Sequence, residues 1–185
     1  MNHRVDLSKF DNSWYYPGKS FFVRGLWYVI LVIFFLQPLF PFYGLKRWLL
    51  RLFGAKIGKG VVIKPKVYIK YPWKLEVGDY SWIGEEVRID NIGFVRMGSH
   101  VCISQRAHLL CGNHNYQSPF FDLMVENITV EDGAWIGANS VVCPGSVLKE
   151  HAVLFAGSVF SGKSEPYGIY QGNPAVPIKQ RIIQQ

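Results

Sequence analysis

The chain has too little cysteine for a disulfide framework. Cys102, Cys111 and Cys143 are an odd number without metal-site spacing, and they read as small buried hydrophobes in a reducing compartment. No small-x-small cleavage site follows the apolar segment near the N-terminus, which argues against export. The Asn127-Ile128-Thr129 pattern, meaningful only in a secreted eukaryotic chain, is set aside for the same reason. Charge is missing from residue 25 to residue 45, yet the continuous apolar run covers only residues 26–36 before Gln37, Pro38 and Pro41 interrupt it. As a helix that run is about 16 Å long, roughly half of a ~30 Å hydrocarbon core. A spanning helix is thereby disfavoured.

What is present is apolar and glycine-rich: 49% hydrophobic residues and 18 Gly exclude both a disordered tail and a coiled coil. A length of 185 residues suits one domain with an appendage. The net charge of +7 favours anionic partners in general, such as nucleic acid, phosphorylated ligands or lipid headgroups, without choosing among them.

The N-terminal apolar stretch is flanked by Arg24 on one side and by Lys46, Arg47, Arg51 and Lys56 on the other. The positive-inside tendency keeps both ends on the cytoplasmic face, which predicts a re-entrant or interfacial hairpin. Residues 43–53 read as an interfacial helix, with Leu45, Trp48, Leu49, Leu52 and Phe53 on one stripe and the three cations elsewhere. The alternative is that both helices pack on the protein or on a neighbouring subunit.

An internal repeat dominates the remainder. Ile57, Ile63, Ile69 and Leu75 lie six apart; Val77, Ile83, Ile89 and Val95 resume after a two-residue slip, then Met97, Ile103 and Leu109. After a gap come Val130, Ile136, Val142, Leu148, Leu154 and Phe160. Six residues make one short strand and one corner, and three such sides close a triangular coil of about 18 residues stacked at roughly 4.8 Å. Gly follows the aliphatic residue at Gly58, Gly78, Gly84, Gly98 and Gly137, where a corner needs a small or positive-φ residue. The expected fold is mainly β, a parallel β-helix over residues 55–172, preceded by an apolar and amphipathic helical extension (1–54) and followed by a tail (173–185). The period does not specify the hand. Its one sizeable break, residues 113–127, collects His, Asn, Pro and Phe, and a long loop leaving a regular scaffold is where function concentrates.

The hexads, Trp135-Ile136-Gly137, the loop entry Cys111-Gly112-Asn113-His114-Asn115-Tyr116 and the ending Gly172-Asn173-Pro174-Ala175 together resemble the hexapeptide acyltransferases. Residues 7–10, 49–58 and 71–75 look like the subgroup of colanic acid and other exopolysaccharide biosynthesis acetyltransferases in particular. The resemblance implies a left-handed β-helix, a homotrimer with active sites between subunits, and transfer of an acetyl group from acetyl-CoA to a sugar hydroxyl. It implies no tightly bound cofactor, no metal and no nucleic acid. The acceptor is expected to be a sugar, a nucleotide-sugar or a lipid-linked saccharide, and the location cytoplasmic, at most peripheral to the inner face of the membrane.

By the same resemblance His114 is the general base, since a sugar hydroxyl is barely ionised at neutral pH and an imidazole can take its proton. Acetyl-CoA contacts fall on Trp135, Ala138, Ala156, Gly157, Ser161 and Lys163. Many relatives carry a basic residue just after the Gly-x-Pro-Ala ending, whereas this chain has Val176-Pro177, so Lys179 or Arg181 takes the phosphate role. Asp90, Asn91 and Asn113 are acceptor candidates. Trp82 and Trp135 read equally well as packing at a subunit interface, and His3, His100, His108 and His151 as surface or packing residues. Two rival readings are a zinc hydratase using His100, His108 and His114, and a non-catalytic trimeric scaffold.

Overall fold

In the computed structural model, which describes residues 4–184, the six-residue period winds into a three-sided parallel β-helix. His3 lies outside the described residues. The first face carries strands Lys56–Ile57, Leu75–Val77, Val95–Met97, Ile128–Val130 and Val147–Leu148. The second carries Val62–Ile63, Trp82–Ile83, Cys102–Ile103, Trp135–Ile136, Val153–Leu154 and Gly168–Gly172. The third carries Tyr68–Ile69, Arg88–Asp90, His108–Leu110, Val141–Val142 and Val159–Phe160. Ala175–Gln180, placed in the expected tail, turns back antiparallel onto Gly168–Gly172, and the Gly172-Asn173-Pro174-Ala175 motif is that turn.

All seventeen aliphatic or aromatic residues of the repeat point inward and are buried, from Ile57 to Phe160. Their equivalents stack in register, Ile57 on Val77, Val77 on Met97, Met97 on Val130 and Val130 on Leu148. Each such side chain contributes about 1.5–3 kcal/mol by burial, but only because a coil lies against it. A second inward series, two positions earlier, is made of small residues: Val61, Val67, Ser81, Val87, Val101, Ala107, Ala134, Ser140, Ser146, Ala152 and Ser158. Ser81, Ser140 and Ser146 stay buried by donating to main-chain carbonyls, Ser81 Oγ to Gly98 O at 2.9 Å and Ser140 Oγ to Phe155 O at 2.9 Å, while Ser158 Oγ accepts from Gly172 N–H at 3.1 Å.

The glycines after the aliphatic positions act through close approach and not through φ. Gly58, Gly78, Gly84, Gly98 and Gly137 are absent from the positive-φ residues, which include Tyr80, His100, Asn139 and Gly157. A Cβ on Gly84 would stand 2.7 Å from Gln105 N in the next coil. Gly84→Ala is therefore expected to lower unfolding free energy by about 1–3 kcal/mol, read from urea melts, because main chain rather than a flexible side chain must yield.

The N-terminal helices close the open end of this solenoid. Helix α1 (Phe21–Ile30) runs on through a π-helical turn over Leu31–Phe35, where Leu36 N–H reaches Leu31 O at 3.0 Å. Helix α2 is Tyr43–Leu52. Along each ladder an N–H of one coil donates to a C=O of the next, as Val62 N–H does to Ser81 O at 3.0 Å. The first-coil carbonyls that face the open end, those of Ile57, Val61, Ile63 and Ile69 among them, consequently have no preceding strand to supply donors, and buried or edge carbonyls need them. Trp27 Nε1 donates to Ile69 O (2.9 Å), Lys46 Nζ to Lys64 O (3.1 Å), Arg47 Nη1 to Val61 O (2.7 Å) and Arg51 Nη2 to Ile57 O (2.7 Å).

This corrects the expected helix stripe. Leu49 is buried beside Lys46 and Leu50, whereas Leu45, Trp48 and Leu52 face outward, because the cations are required on the inner side. Lys46 is 1% exposed, and burial lowers its pKa to about 8 from 10.5. Between those values the unfolded chain holds a proton that the folded chain has released, so this group adds stability as pH rises from 8 toward 10.5. In paired thermal melts, the Tm of wild type minus that of Lys46→Met is expected to increase across this window; parallel curves would rule out a charge-disfavouring site.

Candidate active site

The excursion leaves the third face after Leu110. Cys111 is still part of the core, and burial pushes its thiol up to about 12, so it is no thiolate nucleophile at neutral pH. Gly112–His114 then pairs antiparallel with Leu123–Val125, His114 opposite Leu123. Met97 to Val130 spans 33 positions, one 18-residue coil like that from Val130 to Leu148 plus the 15 residues 113–127.

His114 is held on three sides. Its ring stacks on Phe121, centroids 4.2 Å apart and 10° from parallel, and Phe10 lies against it at 5.6 Å. Nδ1 is 2.8 Å from Phe121 O. A carbonyl oxygen can only accept, so Nδ1 carries the proton and the neutral ring keeps its lone pair on Nε2. Asn113, exposed, accepts from His114 N–H at 2.8 Å through Oδ1 and braces the same turn.

A cavity of 610 Å³ opens beside His114, lined among others by Phe10, Ser13, Tyr15, Arg24, Lys70 and Tyr71. Its outer wall comes from the N-terminal segment, pinned by Tyr15 Oη donating to Ile92 O (2.8 Å), Trp73 Nε1 donating to Pro17 O (2.7 Å) and Asp6 N–H donating to Pro119 O (2.8 Å). Asp90 reaches this pocket through Lys70, with 2.9 Å between Oδ1 and Nζ. Asn91 does not offer a free group: it is wholly buried, accepting from Tyr71 N–H (3.0 Å) and donating to Tyr71 O and Lys74 O. It orders the turn that carries Tyr71. Reading the sequence alone missed Tyr15 and Arg24; the only signal nearby was the likeness at residues 7–10.

Trp135, Ala138 and Ala156 line a second groove, of 570 Å³, at the corner after the second face. Trp135 Nε1 donates to Ser104 Oγ at 2.9 Å, and Gly157 N–H donates to Ala138 O at 2.8 Å, stacking Gly157 on the same corner. Lys179 sits on the outer strand of that face opposite Ile169, and Arg181 is tied back to Gly133 O and His151 O. Ser161 and Lys163 are not brought to this groove. They follow the third-face strand Val159–Phe160, and Lys163 bridges to Val147 of the first face.

The groove and His114 also stand at different corners. Gln105 precedes and Cys111 follows the third-face strand His108–Leu110, so roughly 20 Å of chain separates them. Nor do the three histidines of the zinc reading converge: His100 stacks on Tyr80, His108 lies on the third face, and among the described residues no group of three His, Cys, Asp or Glu is placed to hold a metal.

No protein-family model matches the chain. It is 38% identical over 179 residues, 96% of its own length and 97% of the other's, to the Escherichia coli K12 protein assigned as a colanic acid biosynthesis acetyltransferase. The chain belongs to the hexapeptide-repeat acetyltransferases. The fold agrees. A hexapeptide-repeat acetyltransferase of Vibrio cholerae superposes with a TM-score of 0.78 at 19% identity, covering 85% of this chain and 90% of that one. Its structure in complex with acetyl-CoA gives 0.70 at 20%, covering 74% and 76%. The β-helix of this acetyltransferase is accordingly the left-handed one of that fold, against the usual right-handed preference for parallel connections.

Proposed function

We propose that this acetyltransferase moves the acetyl group of acetyl-CoA to a hydroxyl of a sugar in exopolysaccharide, colanic-acid-like, biosynthesis, with His114 as general base. The single observation that carries the reading is the 2.8 Å contact of His114 Nδ1 with Phe121 O at the edge of the 610 Å³ cavity, which in a neutral ring leaves the lone pair on Nε2. Nε2 takes the hydroxyl proton as the oxygen attacks the thioester carbonyl. The tetrahedral intermediate collapses with cleavage of the C–S bond, and the proton passes to the departing CoA sulfur. Ala138 N–H, which makes no hydrogen bond among the described residues, is the donor to the oxyanion.

The Trp135, Ala138 and Ala156 groove takes the pantetheine arm, with Gly157 hydrogen-bonded at the same corner and Lys179, opposite Ile169 on the outer strand, toward the phosphates. Because groove and base stand at different corners of one chain, a working site combines His114 of one subunit with the groove of the next, in a homotrimer. Ser161 and Lys163 would then meet acetyl-CoA from the His114 side of that junction. Asp90 orients Lys70, and Asn113 positions His114. The acceptor is a nucleotide-linked or lipid-linked saccharide, met in the cytoplasm.

The test is release of CoA by purified protein supplied with acetyl-CoA and a panel of nucleotide- and lipid-linked sugars. A rate no higher than that of the His114→Ala control with every sugar sinks the proposal and favours the scaffold reading.

A further inference from the structure

The helices that close the solenoid are built the wrong way round for an ordinary surface cap. The inner side of α2 holds Lys46, Arg47 and Arg51 on the first coil's carbonyls and that of α1 holds Trp27 on Ile69 O, and apolar side chains are left on both outer sides. On α1 and the π-helical turn that continues it the outward stripe is Phe22, Leu26, Val29 and Ile33, 83%, 57%, 52% and 43% exposed. On α2 it is Trp48 and Leu52, at 57% and 63%. Leu39 and Phe42, on the link between the helices, are equally bare. Apolar exposure of this extent is uncommon on a soluble protein and marks a contact.

The charge around it selects the partner. From residue 12 to residue 75 the chain has eleven Lys and Arg and no Asp or Glu. Four of the eleven, Lys56, Lys59, Lys66 and Lys70, meet acids of the second coil; the other seven have no acidic partner among the described residues, and of these Lys46, Arg47, Arg51 and Lys74 sit on main-chain carbonyls, so their charge is felt through the cap and not by contact. Docking this end on a second copy would oppose two cationic ends across one apolar contact, which repels. An anionic bilayer surface offers apolar depth and opposite charge together. No described helix is long and apolar enough to cross a membrane, so the contact lies in the surface.

We propose that the outer face of α1 and α2 docks this protein on the surface of a phospholipid bilayer rich in anionic headgroups, with Phe22, Trp48 and Leu52 entering the interface. The face is independent of the reaction proposed above. It has a consequence for that reaction, since α1 also contributes Arg24 to the His114 cavity. Docking holds the cavity about one helix diameter, ~10 Å, from the lipid, where a lipid-linked saccharide is presented.

The experiment is flotation of the full chain with vesicles of phosphatidylcholine alone and of phosphatidylcholine with one third phosphatidylglycerol. Wild type is expected to float with the anionic vesicles, and at least about ten-fold less with neutral ones or in high salt. Combined Phe22→Gln, Trp48→Gln and Leu52→Gln should cut partition by about ten-fold or more with an unchanged melting temperature. Ile182→Gln, at a residue 84% exposed in the C-terminal segment, should leave it unaltered. CoA release with a water-soluble acceptor should be the same in all three proteins, which separates failure of docking from failure of the proposed reaction. The proposal is overturned if wild type does not float, if the triple variant floats equally, or if wild type stays off vesicles and the substitutions instead reduce its particle mass, the mark of a second copy on this face.

Discussion

Replacing His114 with alanine is expected to lower kcat for acetyl transfer by about 10²–10⁴-fold, with little change in KM for acetyl-CoA and none in the melting temperature. The split follows from geometry. His114 leaves the solenoid on a hairpin, and its ring is fixed by Phe121 and Phe10 rather than by the stacked core, so removing it disturbs no coil. The groove of Trp135, Ala138 and Ala156 stands at another corner, so ground-state binding of acetyl-CoA keeps its contacts. Steady-state kinetics with thiol detection of CoA would show it. A rise in KM at constant kcat would instead assign His114 to binding.

The second large effect is a rescue. Two variants, His114→Ala and a groove-blocking Ala138→Arg, are each expected to be nearly inactive. Co-expressed in equal amounts and assembled at random, they should recover roughly a quarter of wild-type activity, because a quarter of the junctions then pair an intact His114 with an intact groove. The expectation rests on the strand His108–Leu110 standing between the two corners within one chain. No recovery, with mixed assembly confirmed by differential tagging, would place both halves of the site in the same subunit and remove the argument for a shared one.

Much of this molecule was legible before any coordinates. The inward series from Ile57 to Phe160 shows because a six-residue side turns one large side chain into the core, a local rule that leaves its period in the chain. The break at 113–127 was visible for the same reason, as the place where the rule lapses. The companion series of Val, Ala and Ser was hidden, since small residues carry little hydropathy contrast. The glycines were recognised with two causes open, small size or positive φ, and only the structure chose the first: Gly84 is needed by Gln105 of the next coil, a neighbour twenty-one positions away.

The candidate site divides in the same way. His114 could be picked out from its position at the loop entry, whereas its tautomer depends on Phe121 O, and the cavity wall on Tyr15 and Arg24 arriving from the N-terminus. Asn91 looked like an acceptor contact from its place beside Asp90, yet its amide is satisfied entirely by main chain. Spacing along a strand says which face a residue is near; it does not say which polar groups remain free.

By itself, the chain's order of residues determined the coil, its stacking partners and the point of departure of the loop, because each is a consequence of a short repeat with one large inward side chain per side. Only the tertiary structure decided where Lys46, Arg47 and Arg51 turn, which outer surface is thereby left apolar, and that His114 and the Trp135 groove occupy different corners. Those outcomes depend on unpaired carbonyls at an open end and on contacts between distant segments, and neither is written in any local period.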